Sequence, residues 1–205
     1  MRYAIILLFP PLALLAACGD DEEQSVPTVV PATPVAGSAT ATPAHAAPPG
    51  VQAIVDAALS DDPEELRALI AYTAVACIRE SLGIGGPPVC RQGEAEGTPV
   101  DVVWVAGCEG EYRRADELDK IPLSLLSALD FYAAYRWPEE FNAPPVAAEY
   151  AAIFSRTGPT EKTLAVELLI EGGDLVAIKL GCGESPKELV ESDQLEEVVL
   201  PPPGP

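Results

Sequence analysis

The sequence predicts an α+β domain, helices packed on an antiparallel sheet, between residues 51 and 183 of a 205-residue chain. Three observations point there. Apolar residues from Val51 onward recur at helical spacing. After Val100, short alternating or apolar runs follow one another, punctuated by Gly and Pro. Between Lys162 and Cys182, two such runs flank Gly172-Gly173-Asp174, as in a β-hairpin. About 130 residues suffice for one ordinary core.

The chain opens on a basic residue, Arg2, and an apolar stretch from Ala4 to Ala17, interrupted by Pro10 and Pro11. A membrane span needs roughly 20 apolar residues. This run is shorter and ends on small residues, so residues 1–17 read as a secretory signal. Leu15-Ala16-Ala17-Cys18 matches every position of the bacterial lipobox, and the start of the chain resembles a lipoprotein precursor. That resemblance implies a diacylated Cys18 as the mature N-terminus, a bacterial cell membrane location and an extracytoplasmic domain. Two acyl chains anchor stably where one does not.

Residues 18–50 form the next segment: an acidic Asp20-Asp21-Glu22-Glu23, then Pro, Ala, Thr and Val. Such composition buries too little apolar surface to fold and predicts an extended tether. At about 3.1 Å per residue in polyproline form, its reach is at most about 90 Å.

Val51, Ile54, Val55, Ala58 and Leu59 then form the stripe of an amphipathic helix. Asp62-Pro63-Glu64-Glu65 starts a second one, with Asp62 as N-cap and Glu65 completing a capping box; Leu66, Leu69 and Ile70 face inward. Thr73–Ile78 is β-compatible, and a loop through Gly83, Gly85-Gly86-Pro87-Pro88 and Gly97 follows. Val100–Cys108 reads as a strand, Asp116–Ala128 as a third helix, and Phe131–Trp137 and Val146–Ser155 as further strands. In the last hairpin a three-residue turn would pair Ile170 with Val176, Leu168 with Ile178, Val166 with Leu180 and Leu164 with Cys182. A two-residue Gly-Gly turn would set Val166 against Lys179, so the three-residue register is expected, with Glu167 and Lys179 on the other face. Ser185-Pro186-Lys187-Glu188 has the form of a capped helix start, but residues 184–205 end in acids and prolines and read as a disordered tail.

The net charge of −20 argues against nucleic acid as a partner, and the only histidine, His45, lies in the tether. Histidine-based triads and metal sites are therefore closed to the domain, and no P-loop, dinucleotide or calcium-loop motif occurs. Catalytic residues, cofactors and metals are all expected to be none. Carboxylates are the remaining acid–base route: Glu109 with Glu111, the group Asp116, Glu117 and Asp119, and the neighbours Glu139 and Glu140. In so acidic a chain, solvated surface is the favoured explanation for all of them. Arg113-Arg114 reads as part of a surface ion-pair cluster.

Tyr132, Tyr135, Tyr150, Trp104 and Trp137 are candidates to line a small-molecule pocket, with core packing the competing role. Apart from Cys18, Cys77, Cys90, Cys108 and Cys182 remain, without the C-x-x-C spacing of a zinc site. In an extracytoplasmic domain they suggest disulfides, and of three connectivities their positions favour Cys77–Cys90 and Cys108–Cys182.

The order helix, helix, strand, strand, helix and antiparallel strands, with the Asp61-Asp62-Pro63-Glu64-Glu65-Leu66 junction, is similar to the NTF2-like (SnoaL-like) superfamily. The resemblance implies a curved sheet wrapped around helices into a cone with a pocket. A cystatin-like α+β sheet is the alternative. Enzymes of that superfamily often place a His, Asp or Tyr in the cone; without the histidine, a non-catalytic domain binding a small molecule or an envelope protein is the leading expectation. A small isomerase-, dehydratase- or hydrolase-type enzyme using a pocket carboxylate or tyrosine is the alternative.

Overall fold

A computed structural model describes residues 46–203, apart from 61, 121–125, 127, 143–144 and 159–161; for 119 and 120 only the backbone is described. The signal, Cys18 and His45 lie outside these residues.

Helix α1 (Pro49–Leu59) starts on Pro49 and buries Val51, Ile54, Val55, Ala57 and Ala58. Four residues of the expected stripe pack, but Leu59, expected to face inward, is exposed at the helix end and Ala57 is buried instead. Helix α2 (Pro63–Arg67) is a single turn and a half, capped by Asp62, whose carboxylate accepts from the Glu64 N–H rather than from Glu65. Leu66 and Ile70 point into the core from this segment.

The strands are β1 (Thr73–Ala76), β2 (Pro99–Ala106), β3 (Gly110–Arg114), β4 (Asp130–Arg136), β5 (Tyr150–Thr157), β6 (Thr163–Glu171), β7 (Asp174–Leu180) and β8 (Val198–Leu200). They build one eight-stranded sheet in the order β1-β2-β7-β6-β5-β4-β8, with β3 on the opposite side of β2 from β7. The sheet is mixed rather than wholly antiparallel, because β2 and β7 run parallel, Trp104 opposite Ala177. No hairpin joins those two strands, so no tight turn dictates their relative direction.

The last hairpin holds a correction. Its turn has two residues, Gly172 and Gly173, both with positive φ (59° and 96°), and Glu171 faces Asp174. A bulge between Leu169 and Ile170 absorbs the offset. Ile170 therefore faces Leu175, not Val176, while Leu168–Ile178, Val166–Leu180 and Glu167–Lys179 match the expected register. Leu164 pairs only with Arg156, and β7 stops at Leu180 before Cys182.

Both faces of the sheet are covered. Face one packs Val103, Val105, Phe154, Val166, Leu168 and Ile178 against α1, α2 and Leu118. Face two packs Ala151, Ile153, Ala165, Leu169 and Ala177 against Trp137, Leu195 and Leu189 of helix α3 (Pro186–Ser192). Helix α3 has the anticipated capping box: Ser185 accepts from the Glu188 N–H, and Glu188 accepts from the Ser185 N–H. The C-terminal segment, expected to be disordered, instead adds β8 to the sheet edge, Leu200 facing Ala134. Its three-residue apolar run is too short to signal itself without its partner strand. The helix expected over Asp116–Ala128 is a 3-10 helix at Ala115–Lys120; residues 121–125 are not described, and Ala128 has a positive φ no helix carries. Among the described residues no helix is long and apolar enough to cross a membrane.

Candidate functional site

The four domain cysteines form two disulfides, Cys77–Cys90 (Cα–Cα 4.9 Å) and Cys108–Cys182 (4.7 Å). With all four sulfurs bonded to one another, they are not available as a zinc-binding set. The first bond draws together the two ends of the Gly-Pro loop. Beside it the Ile78 N–H donates to the Pro88 carbonyl (2.9 Å) and the Cys90 N–H to the Ile78 carbonyl (2.8 Å). Thus the loop is held at its base, yet it leaves Leu82 at 76% exposure, Ile84 at 66% and Val89 at 46%.

Across from this loop lies β3, a strand not anticipated as such. Loop and strand enclose a cleft of about 430 Å³, lined by residues 83–89 on one wall and Glu109, Gly110, Glu111 and Tyr112 on the other. The wall depends on Gly110: a Cβ there would run into the Trp104 ring, which stacks edge-on against Tyr112 with ring centroids 5.0 Å apart. Glycine alone lets strand and indole approach so closely.

Arg114 ties the walls together. Its guanidinium, buried, takes both oxygens of Glu94 (2.7 and 2.8 Å) and donates to the Val89 carbonyl (3.0 Å). Glu94 also accepts from the Arg91 N–H at 2.7 Å. The Arg114 hydrogen bond, with that of the Arg91 backbone, lowers the Glu94 carboxyl to about 2. Arg91 reaches on to Asp116 (2.7 and 2.9 Å) and Glu117 (2.7 Å). Of the pair expected at the surface, Arg113 does meet Glu111 there, but Arg114 is structural and buried. Its burial depends on the loop folding back over β3, which local spacing does not encode.

The aromatic candidates separate. Trp104, Tyr132, Tyr135 and Trp137 belong to face two and Tyr150 to face one, where the Arg136 guanidinium lies 5.3 Å from the Tyr150 ring centroid. Trp137, with Arg136, Glu139, Glu140, Glu196 and Glu197, borders an open groove of about 470 Å³. The Glu109 and Glu111 pair lines the cleft; Asp116 and Glu117 are held by Arg91. The Asp119 side chain is outside the described residues.

The sequence does not single out Glu167 as a buried group. It sits mid-strand on β6 with 0% exposure, under α3. The Lys179 ammonium lies 2.5 Å from its Oε2 and equally close to Asp193 at the end of α3, and 5.2 Å from the Trp137 ring centroid. Neither Glu167 oxygen receives a well-directed hydrogen bond. Burial raises its carboxyl to about 7, against the pull of Lys179. The sequence places Glu167 opposite Lys179 on the second face of the hairpin, as observed, but not its burial, which comes from the cover given by α3. No cavity described above is lined by Glu167, so its raised pKa is not presented to a ligand there.

No family model matches the chain, and no curated protein does. Among solved structures, a crystal structure described as "Putative Isomerase from Rhodopseudomonas palustris" aligns at 11% identity over 69% of this chain and 91% of that one, with a TM-score of 0.30. At that score the likeness bears on neither fold nor activity.

Proposed function

We propose that the protein is a bacterial lipoprotein, held at the cell membrane through acylated Cys18, whose extracytoplasmic domain binds a ligand or an envelope protein without catalysing a reaction. The observation that carries the binding role is the disulfide-held loop with Leu82 and Ile84 projecting into solvent beside the β3 cleft. Large apolar side chains gathered at one exposed loop are a signature of contact surfaces. Two disulfides support an oxidising compartment, as the lipobox match does. An NTF2-like cone belongs to this proposal; the order of helices and strands and the cover of α1 and α2 on face one support it.

A second possibility, a small enzyme, is favoured by one observation: Glu167 is a buried carboxylate poised near neutrality. Lys179 beside it and the closed cover of face two argue for a structural role instead. Mass spectrometry of the protein extracted gently from its own membrane tests the anchor. An acylated N-terminus at Cys18 and the loss of four hydrogens are expected. A Cys18→Ser protein that stays in the membrane fraction would overturn the anchor. A small molecule retained by wild type and lost on Ile84→Ser would place its site at the cleft.

A further inference from the structure

We infer that the β3 cleft binds an extended peptide segment of a basic partner protein, which adds to the sheet as a strand along the free edge of β3. The inference rests on the cleft being the binding surface and names what enters it.

Among the described residues strand β3 pairs with β2 alone, so its other edge is open there. Which of its residues face that edge follows from parity. In an antiparallel pair, alternate residues turn both backbone groups toward the partner or away from it. The Gly107 N–H donates to the Glu109 carbonyl at 2.8 Å, so the odd-numbered residues of this hairpin bond inward. The Arg114 N–H, by contrast, donates to the Glu117 side chain at 3.2 Å. Gly110 and Tyr112 share the parity of Arg114 and therefore turn their N–H and C=O groups outward. The Gly110 carbonyl supports this, since it lies 3.9 Å from where a side chain on Gly85 of the facing loop would begin.

The loop runs alongside this edge without pairing to it. Gly85 lies near Gly110, Val89 near Arg114, and among the described residues no backbone hydrogen bond joins loop to strand. A slot with unpaired strand groups on one wall and apolar side chains on the other is what strand addition requires: main-chain bonds for affinity, side-chain contacts for selection. Such edges are ordinarily shielded or paired.

The chemistry of the occupant follows from the walls. Ile84 and Val89 offer apolar contact, and Glu111 already has Arg113. Glu109 lines the slot with no cation beside it among the described residues, in a chain of net charge −20. An extended segment alternating apolar residues with Lys or Arg complements both.

The test titrates the full disulfide-bonded chain with three nine-residue peptides: alternating Val and Lys, the same peptide N-methylated at every residue, and alternating Val and Glu. Single-amide hydrogen exchange is followed alongside. The Val–Lys peptide is expected to bind and to slow exchange at Gly110 and Tyr112 at least tenfold. N-methylation and the Lys-to-Glu exchange should each weaken binding at least tenfold, and Ile84→Ser should weaken it while leaving thermal unfolding unchanged. Binding that depends on Ile84 but ignores N-methylation would overturn strand addition and leave the cleft standing as a binding surface. No binding by any of the peptides at millimolar concentration would overturn the peptide inference, and the ligand-retention experiment above then decides the cleft separately. Concentration-dependent dimers protecting the same two amides without peptide would overturn it in favour of a second copy of this chain.

Discussion

Glu167 and Glu94 push the pH dependence of this domain in opposite directions, because one carboxylate is buried against its own ionisation and the other is held ionised. In the folded chain Glu167 keeps its proton up to about 7 instead of 4.5. Between those values the folded state binds a proton the unfolded state gives up, so stability falls as pH rises through that window. A shift of this size is worth ~3 kcal/mol. Urea unfolding at pH 5 and pH 8 should therefore show a pH 8 deficit in the wild type that shrinks by about 2 kcal/mol in Glu167→Gln, since part of the effect is already lost by pH 5. Equal pH slopes for the two proteins would contradict the burial account. Glu94 works the other way: its carboxyl is lowered from 4.5 to about 2 by Arg114 and the Arg91 N–H, so its contribution is present above 4.5 and is lost as pH falls toward 2. Arg114→Met should flatten that acid limb, read from unfolding midpoints between pH 5 and pH 2.

Among the elements, those whose cause is local were legible and those whose cause is remote were not. Helix α3 announces itself within four residues, Ser185 to Glu188, because both capping bonds are internal to the motif. Ser185→Ala should cost about 1 kcal/mol, measured by chemical denaturation. The β6–β7 register was legible at Val166, Leu168 and Glu167 because an all-apolar face selects it, but the turn was not. A three-residue turn and a two-residue turn with a bulge give the same apolar face, and only the backbone distinguishes them. The two-residue form makes a prediction the other does not. Gly173 at φ 96° tolerates no branched side chain, so Gly173→Val should destabilise by ~2 kcal/mol, whereas a turn without that conformation would accept it more cheaply. Strand β8 and the burial of Glu167 were illegible for a shared reason. Each depends on segments more than a dozen residues apart meeting, Leu200 on Ala134 and α3 over β6, and no local period records such a meeting. The cleft was half visible: its Gly-Pro loop and the Glu109–Glu111 pair stood out, but that they face one another follows from the fold.

At the scale of the whole molecule, the N-terminal strands and the β4–β8 side of the sheet join through few rungs. Strand β2 meets β7 over three residue pairs, Trp104 to Ala106 against Ala177 to Lys179, and Ile70 adds one bridge to Leu175. Cys108–Cys182 lies just beyond that short parallel ladder and closes 74 residues of chain, whereas Cys77–Cys90 closes 13 and holds only the loop base. The chain-entropy account assigns about 4 kcal/mol to the longer closure and about 3 to the shorter. The structural consequences should differ more than those energies do. Replacing Cys108 and Cys182 by serine removes a restraint across the seam, so thermal unfolding should shift down for the whole domain and lose sharpness as the two parts of the sheet part company. Replacing Cys77 and Cys90 should lower the midpoint less and keep one sharp transition, while protease cleavage concentrates between residues 78 and 89. Calorimetry with limited proteolysis on the two double variants reads both effects. If the Cys77–Cys90 variant broadened the transition and the Cys108–Cys182 variant did not, the weak seam of the fold would lie at the loop and not between β2 and β7.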